Sequence, residues 1–183
     1  MSAAEDAPSP WLRSHMDALR QAARLGPALD LACGSGRNAL PAARAGVRVI
    51  GFDRSASDLA RFNAAARAEE LPACGVRADL ESGRGIPVAP ESCGAIFVFR
   101  FLYRPLADAI VRALRPGGLL LYETFTIHQR NMGKGPSNPA FFLQPGELRG
   151  LFPGLETLAS EECTIPEPWP QAVARLVARK PAA

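Results

Sequence analysis

Short apolar runs alternate with longer amphipathic segments along most of the chain. Five short runs are predicted as strands, at residues 28–32, 47–52, 75–78, 94–99 and 119–123, and the run at 47–52 is mostly apolar, as a buried parallel strand should be. Three segments between them carry helix patterns or helix start and stop signals, at residues 37–45, 56–69 and 105–114. Strands that alternate with helices in this order predict an α/β domain built on a mainly parallel sheet.

The two ends of the pattern add further elements. Residues 1–10 predict a flexible tail, and residues 11–25 predict an amphipathic N-terminal helix. Residues 155–163 and 171–178 are predicted as two strands joined by a proline-rich turn, so this pair should be antiparallel. Residues 124–144, rich in Asn, Gly and Pro, predict a loop. A loop of this length inside a compact domain is usually functional or disordered, so it is a candidate substrate lid.

The composition is that of one folded domain. The 183 residues are 48% hydrophobic and 21% charged, which predicts a single domain over residues 1–183 with a sizeable core. No apolar run approaches the roughly 18–20 residues of a membrane span, and the N-terminus lacks the basic and apolar regions of a secretory signal. The four cysteines show no C-x-x-C spacing. We therefore expect a cytoplasmic protein without a metal site.

The charge pattern limits the choice of partner. The net charge of +3 comes mostly from arginines scattered along the chain, whereas nucleic-acid-binding proteins more often carry clustered basic residues. We therefore expect neither a nucleic acid nor a membrane as partner, and an anionic substrate is compatible with the charge. The sequence leaves both a monomer and a homodimer open.

A glycine-rich turn follows the first predicted strand. Gly34 and Gly36 precede a helical segment, and glycine suits a backbone that turns sharply beneath a ligand. The spacing Gly34-x-Gly36-x-x-Ala39 fits the fingerprint of dinucleotide-binding proteins as a bare pattern. Asp30 argues against that reading, because its carboxylate would repel a pyrophosphate at the turn and would suit a cationic amine instead.

Acidic residues stand at the carboxyl ends of three successive predicted strands. They are Asp30, Asp53 and Asp79. Because open α/β sheets bind ligands at the carboxyl ends of their strands, these side chains predict one shared ligand site. An acid at the end of the second strand is placed to accept hydrogen bonds from ribose hydroxyls, so Asp53 is the predicted ribose ligand.

This set of motifs resembles the class I methyltransferases that depend on S-adenosylmethionine. Asp30 to Gly36 resembles their motif I, D-x-G-x-G-x-G, with Ala32 in the first glycine position, and the R-P-G-G sequence at 115–118 is also similar. The resemblance implies a doubly wound seven-stranded sheet of order 3-2-1-4-5-7-6, with β7 antiparallel and helices on both faces. Residues 103–106, 122–125 and 145–148 are similar to small bacterial methyltransferases of the tellurite-resistance and thiopurine type.

The resemblance also implies a set of ligand-binding residues. S-adenosylmethionine would be the cofactor and S-adenosylhomocysteine the product. Asp30 and the glycine turn would hold the amino-acid part, Asp79 with Leu80 the adenine, and the exit of the fourth strand the methyl group and the acceptor. The complete set of predicted cofactor-binding residues is Asp30, Ala32, Cys33, Gly34, Gly36, Asn38, Asp53, Arg54, Ala78, Asp79, Leu80, Arg100 and Phe101.

Four residues are candidates for a role in the chemical step, namely Arg100, Tyr103, Glu123 and His128. Arg100 would line the acceptor site, and the other three are candidate proton acceptors. Each of these three also has a structural interpretation. Glu123 could pair with an arginine such as Arg100 or Arg104, Tyr103 could pack against the turn after the fourth strand, and His128 lies in the long loop.

The predicted reaction is in-line transfer of a methyl group to a small-molecule acceptor. Residues 99–102 lack the N-P-P-Y-like sequence of amino methyltransferases, and no cysteine is placed for attack on cytosine. Only Glu123 stands where metal-assisted enzymes carry acids, so no metal is expected. Three alternatives stay open. They are a protein or RNA methyltransferase, a non-catalytic cofactor-binding module that acts through a partner, and a nicotinamide-dependent oxidoreductase.

Overall fold

Seven strands and six α-helices form the part of the chain that the computed structural model describes, residues 7–166 and 169–182. The strands are β1 (Ala28–Leu31), β2 (Val49–Asp53), β3 (Ala73–Arg77), β4 (Cys93–Phe99), β5 (Leu114–Phe125), β6 (Glu156–Ile165) and β7 (Gln171–Arg179). The helices are α1 (Pro10–Ser14), α2 (Met16–Ala22), α3 (Ala39–Arg44), α4 (Ala56–Ala68), α5 (Ala107–Ala113) and α6 (Glu147–Gly150). Short 3-10 helices lie at Arg104–Leu106, Ile127–Asn131 and Pro139–Phe141.

The strands form one sheet in the order β3-β2-β1-β4-β5-β7-β6. The first five strands in this order run parallel, and β7 is antiparallel to both β5 and β6. The predicted fold class and strand order are therefore confirmed. Because the carboxyl ends of the parallel strands meet at one edge, the residues that follow β1 to β5 share one end of the sheet.

Both faces of the sheet are covered by helices, as predicted. Leu19 of α2, Ala42 of α3 and Phe62 of α4 belong to the hydrophobic core on one face. Ile110 of α5 and Leu148 of α6 belong to the core on the other face. The central strands β1 and β4 are buried throughout, whereas the edge strands β3 and β6 are mostly half-buried or exposed. A buried centre explains why β4 is a continuous apolar run and why β1 is apolar except at Asp30.

Two predicted elements differ from the structure. The helix predicted over residues 11–25 is two helices, because the chain leaves helical geometry at His15, where the side chain bonds the carbonyl of Trp11. The strand predicted at 119–123 is longer, because β5 begins at Leu114 and contains the R-P-G-G sequence at 115–118 as an irregularity. Cys93 pairs with Leu114 and Ala95 pairs with Leu119, so the intervening residues of β5 bulge out of register.

The predicted flexible tail over residues 1–10 is wrong for its last four residues. Ser9 is only 2% exposed, and its backbone N–H donates to the Oδ1 of Asn38 over 2.9 Å. Its hydroxyl also caps α1 by accepting the N–H of Trp11. Residues 1–6 lie outside the described part of the chain. Apolar spacing gave no sign of this docking, because it depends on polar contacts with distant residues.

The segment between β5 and α6 is less irregular than predicted. It holds two 3-10 helices, and the buried Gln129 accepts a hydrogen bond from the N–H of Ala172 and donates to the carbonyl of Lys134. At its far end, the guanidinium of Arg104 donates to the carbonyls of Ala140 and Phe142. The segment is therefore fastened at both ends. None of the helices in the described ranges combines the length and apolar composition that a membrane crossing requires.

Candidate functional site

A cleft opens at the carboxyl ends of the parallel strands, with a volume of about 760 Å³ including its open mouth. It runs from the ends of β2 and β3 to the segment that follows β5. Its walls are formed by Ala32, Asp53, Arg54, Ala78, Asp79, Leu80, Glu81, Arg100, Phe101, Leu102, Thr124, Phe125, Pro136 and Phe141.

The glycine turn borders the cleft and contributes Ala32 to its walls. Ala32 and Gly34 have φ values of 59° and 53°, the left-handed conformation that favours glycine. A methyl group at Gly34 would meet no atom within 4 Å, so the space above the turn is open to a ligand. Gly36 serves packing instead, because a methyl group there would lie 2.4 Å from the ring of Phe62.

Asp53 ends β2 and faces the cleft beside this turn. One carboxylate oxygen accepts the N–H of Gly34 and the other accepts the N–H of Ser55, each over 2.8 Å. A carboxylate offers about four acceptor sites, so both oxygens keep capacity for a further donor. The side chain is thus fixed in orientation and can still accept hydrogen bonds from two adjacent hydroxyl groups.

The rim beyond Asp53 combines polar and apolar groups. Asp79 is exposed and accepts the N–H of Glu81 over 3.0 Å, while Leu80 is buried directly beside it. Arg54 pairs with Glu81 at 3.1 Å across the mouth. The sequence analysis missed Glu81, because nothing in its position marked it as a neighbour of Arg54, which is 27 residues away in sequence.

Five of the predicted cofactor-binding residues do not line the cleft, namely Asp30, Cys33, Gly34, Gly36 and Asn38. Asp30 is only 2% exposed, accepts the N–H of Ala39, and leaves its Oδ2 without a hydrogen-bond partner. Burial raises the pKa of Asp30 well above its usual value, and the charge of Arg37 opposes that rise. The amide of Asn38 holds Ser9, as described above, and Cys33 is buried behind the turn with its thiol pKa raised by burial.

Arg100 lies where the chain leaves β4, and it also adopts a left-handed backbone conformation, with φ of 57°. Its N–H donates to the carbonyl of Glu123, which holds the turn against β5. Its guanidinium lies 5.7 Å from the ring centroid of Trp169, which stacks on Phe125 at 5.8 Å. The predicted position of Arg100 beside the cleft is therefore observed, together with an aromatic neighbour that the sequence did not suggest.

Arg100 also forms part of a second cavity, which lies under the N-terminal segment and has a volume of about 490 Å³ including its mouth. The walls of this second cavity are Ala7, Pro8, Ser9, Pro10, Arg13, Arg37, Arg100, Glu123, Ile165 and Gln171. Arg37 donates to the carbonyl of Ala7, so the N-terminal segment is tied to the start of α3. Arg100 thus contributes to the walls of both spaces.

Glu123 is only 3% exposed and both of its carboxylate oxygens are engaged. One oxygen accepts the hydroxyl of Ser9 over 3.0 Å, and the other accepts the Nε of Arg175 over 2.7 Å. Glu123 therefore pairs with an arginine, as its structural interpretation allowed, but with a different one from the two suggested, Arg100 and Arg104. Its partner is Arg175, which the antiparallel register of β5 and β7 places directly opposite.

The other two candidate proton acceptors lie outside the walls of both spaces. Tyr103 is half-buried and packs against the hydrophobic core. His128 is exposed in the 3-10 helix that follows β5. The structure therefore brings neither Tyr103 nor His128 to the cleft, and of the four candidates for the chemical step only Arg100 lines it.

The acceptor end of the cleft contains several residues that the sequence analysis did not assign to it. Thr124 and Phe125 come from the end of β5, and Pro136 and Phe141 come from the segment that follows. The length of that segment was the available signal, because it indicated a functional loop. Which of its side chains turn inward could not be known, since that depends on contacts with Gln129 and Arg104.

Comparison with known families identifies the chain. Residues 28–118, about half of the chain, match the model of the family described as "Methyltransferase domain". The protein belongs to the methyltransferase family. The match spans the glycine turn, Asp53 and Asp79, and it ends within β5. The predicted family and its cofactor, S-adenosylmethionine, are thereby confirmed.

Several solved structures share the fold of the methyltransferase. A S-adenosylmethionine-dependent methyltransferase from Methanosarcina mazei has a TM-score of 0.71 at 18% identity, with 97% of this chain and 100% of that chain covered. TehB from Haemophilus influenzae has a TM-score of 0.71 at 20% identity, with coverages of 91% and 62%. At such identities the similarity shows a shared fold.

A third structure comes from work on the conversion of a disulfide bond into a thioacetal group during echinomycin biosynthesis. It has a TM-score of 0.70 at 23% identity, with 96% of this chain and 83% of that chain covered. No sequence among curated proteins matches the methyltransferase. The fold is therefore shared widely, while the acceptor is not identified by similarity.

Proposed function

We propose that the methyltransferase transfers the methyl group of S-adenosylmethionine to a small-molecule acceptor in the cleft. The observation that carries this proposal is the continuity of the cleft. One end holds Asp53 and Asp79, and the other end holds Arg100 and Phe141. A ligand at the first end and an acceptor at the second would meet where the chain leaves β4.

The residues of the cleft fit the cofactor. Asp53 has acceptor capacity for the two ribose hydroxyls, as derived above from its hydrogen bonds. Asp79 would accept from the adenine amino group at the rim, and Leu80 and Phe101 offer apolar surface for the ring faces. The open space above Gly34 leaves room for the amino-acid part close to the backbone.

The cofactor supplies an electrophilic methyl group on a sulfonium. The protein therefore has to align the acceptor within about 3–3.5 Å of that methyl carbon and keep water away. Phe101, Phe125 and Phe141 contribute the apolar part of the wall at this end. Arg100 is held between β4 and β5 by its backbone and beside Trp169 by its guanidinium, so it is a rigid neighbour of the acceptor.

The size of the cleft supports a small acceptor. The enclosed part of the cleft has a volume of about 250 Å³, just below the range of about 300–1,000 Å³ that small-molecule sites occupy, so a large acceptor could not enter it as a whole. The cofactor would fill the end near Asp53 and Asp79, so the remainder suits a molecule of modest size. A protein or RNA acceptor would have to present one protruding group to the same opening.

A calorimetric titration tests the proposal directly. The protein is titrated separately with S-adenosylmethionine, S-adenosylhomocysteine and NADH, and we expect binding of the first two only. Asp53→Ala should weaken S-adenosylhomocysteine binding by about 1.5–3 kcal/mol, because two buried hydroxyls lose their acceptor. Asp17→Ala is the matched control, since Asp17 is an exposed acid on α2.

The outcomes separate the alternatives. Binding of NADH alone would indicate hydride transfer in place of methyl transfer. Unchanged affinity of Asp53→Ala for S-adenosylhomocysteine would show that Asp53 does not bind the cofactor. Where the cofactor binds as expected, release of S-adenosylhomocysteine in a screen of small-molecule acceptors identifies the substrate, and release only with a protein or RNA would overturn the choice of a small acceptor.

A further inference from the structure

Cofactor and acceptor share the cleft in the proposed methyl transfer, and its enclosed part is small for both. The enclosed volume is about 250 Å³, whereas a site for one small molecule usually occupies about 300–1,000 Å³. Part of the wall therefore has to move when the cofactor enters. The contacts of the wall residues show which part that is.

Most of the wall at the cofactor end is held by backbone or buried contacts. Asp53 accepts two backbone N–H groups through its carboxylate, and its own carbonyl accepts the N–H of Ala78 over 2.9 Å. Leu80 is only 4% exposed and belongs to the hydrophobic core. Displacing these groups would break hydrogen bonds or expose apolar surface, so this part of the wall is rigid.

The ion pair of Arg54 and Glu81, which we call the rim pair, is held much more weakly. Nη1 of Arg54 lies 3.1 Å from Oε2 of Glu81, and the two side chains are 75% and 28% exposed. Exposed ion pairs contribute little to stability and are weakened by salt, so the rim pair can open without disturbing the fold. It is therefore the movable part of the wall at this end.

Each member of the rim pair is attached to a predicted cofactor ligand. Arg54 directly follows Asp53, and the backbone N–H of Glu81 donates to Oδ1 of Asp79 over 3.0 Å. The rim pair thus joins the segments that follow β2 and β3, across the mouth of the cleft. A molecule that reaches both Asp53 and Asp79 would enter and leave beside it.

We propose that the rim pair is a gate whose opening limits both the entry of S-adenosylmethionine and the release of S-adenosylhomocysteine. This inference rests on the proposed methyl transfer. The rim pair closes alike before entry and behind a bound ligand, so breaking it should raise the association and dissociation rate constants by the same factor. The dissociation constant, which is their ratio, should then stay the same, whereas loss of a direct contact to the ligand would raise it.

Binding kinetics test the gate without requiring an acceptor or turnover. The protein is immobilised for surface plasmon resonance, and S-adenosylhomocysteine, which has no net charge at neutral pH, is passed over it. We expect Glu81→Gln and Arg54→Gln each to raise both rate constants about threefold, the effect of losing one exposed ion pair. The double variant should be no faster than either single variant, because all three break the same pair.

Salt and a second ion pair provide the controls. Raising the NaCl concentration to about 1 M shortens the screening length to about 3 Å, so both wild-type rate constants should rise while those of Glu81→Gln change much less. Glu69→Gln breaks the exposed ion pair of Glu69 with Arg44, which lies outside the cleft walls, and should leave both rate constants unchanged. Urea denaturation verifies that each variant is folded.

Three results would overturn the gate. They are unchanged rate constants in Glu81→Gln, an equal acceleration in Glu69→Gln, and faster dissociation of Glu81→Gln without faster association, which would make the rim pair a direct ligand contact. Absence of S-adenosylhomocysteine binding to the wild type would instead contradict the proposed methyl transfer. The two proposals therefore fail on different results.

Discussion

Ala32 adopts a backbone conformation that alanine normally avoids. Its φ of 59° places it in the left-handed region, which costs a residue with a Cβ roughly 1–2 kcal/mol. It stands in the first glycine position of the turn beside Asp53 and lines the cleft. Strain of this kind persists where the surrounding structure determines the backbone, as the hydrogen bond from Cys33 to the carbonyl of Phe52 does here.

Replacing this alanine by glycine should stabilise the protein. Ala32→Gly removes the strain and adds roughly 0.5–1 kcal/mol of chain entropy to the unfolded state, so we expect a net gain of up to about 1 kcal/mol. Ala64→Gly, on the exposed face of α4, should instead lose about 1 kcal/mol. Urea denaturation measures the free energy of unfolding of both variants. Changes of the same sign in Ala32→Gly and Ala64→Gly would contradict the strain assigned to Ala32.

Asp30 should make the stability of the protein depend on pH. Its folded-state pKa is raised by burial, so the folded state binds the proton more tightly than the unfolded state does. The contribution of Asp30 to stability is therefore complete below the pKa that its carboxyl has in the unfolded chain. It declines as pH rises from that value towards the higher pKa of Asp30 in the folded protein. Within that window the slope for one group approaches about 1.4 kcal/mol per pH unit.

The variant Asp30→Asn should remove this pH dependence. The amide keeps an oxygen for the N–H of Ala39 and carries no charge, so the variant should exceed the wild type in stability at pH 8 and approach it near pH 4. Urea denaturation at the two values checks this. Asp17→Asn changes an exposed side chain, so its stability should vary with pH as that of the wild type does. If the stability of Asp30→Asn also varied with pH in parallel with the wild type, the raised pKa of Asp30 would be refuted.

At the scale of elements, one serine fixes the N-terminal segment. Ser9→Ala removes the cap of α1 and leaves one oxygen of the buried Glu123 without its donor. We expect a loss of about 1–3 kcal/mol in the free energy of unfolding. The change should also speed proteolysis before residue 14, because the segment loses its anchor.

Ser14→Ala provides the matched control for this element. Ser14 is exposed and bonds a carbonyl within α1, so its loss should change stability by less than about 0.5 kcal/mol and leave the N-terminal segment protected. If Ser9→Ala and Ser14→Ala unfolded at the same urea concentration, the docking of residues 7–10 would contribute nothing to stability.

The elements also show how far sequence reasoning reaches. Periodicity predicts the strands, and the shared ends of parallel strands place Asp53 and Asp79 correctly on one cleft. The burial of Ser9 and the ion pair of Glu123 with Arg175 could not be predicted, because the partners are 114 and 52 positions apart. Contacts of that kind follow from the register of β5 and β7, which local patterns do not encode.

For the molecule as a whole, the pair of Glu123 and Arg175 joins the parallel and antiparallel parts of the sheet. Arg175→Met should cost about 3–5 kcal/mol, because it leaves a buried carboxylate without its cation. The double variant Glu123→Gln, Arg175→Met should recover part of that loss. A double-mutant cycle in urea measures the coupling, and additive losses would contradict it.

Because Ser9 docks on Glu123, the order in which the chain is synthesised matters for folding. Residue 9 leaves the ribosome long before Glu123, and the carboxylate of Glu123 is itself held by Arg175, which emerges later still. Contacts of such long sequence separation form late, since loop closure precedes them. The second cavity is therefore completed only after β7 has emerged, and a nascent chain that stops before β7 cannot yet form it.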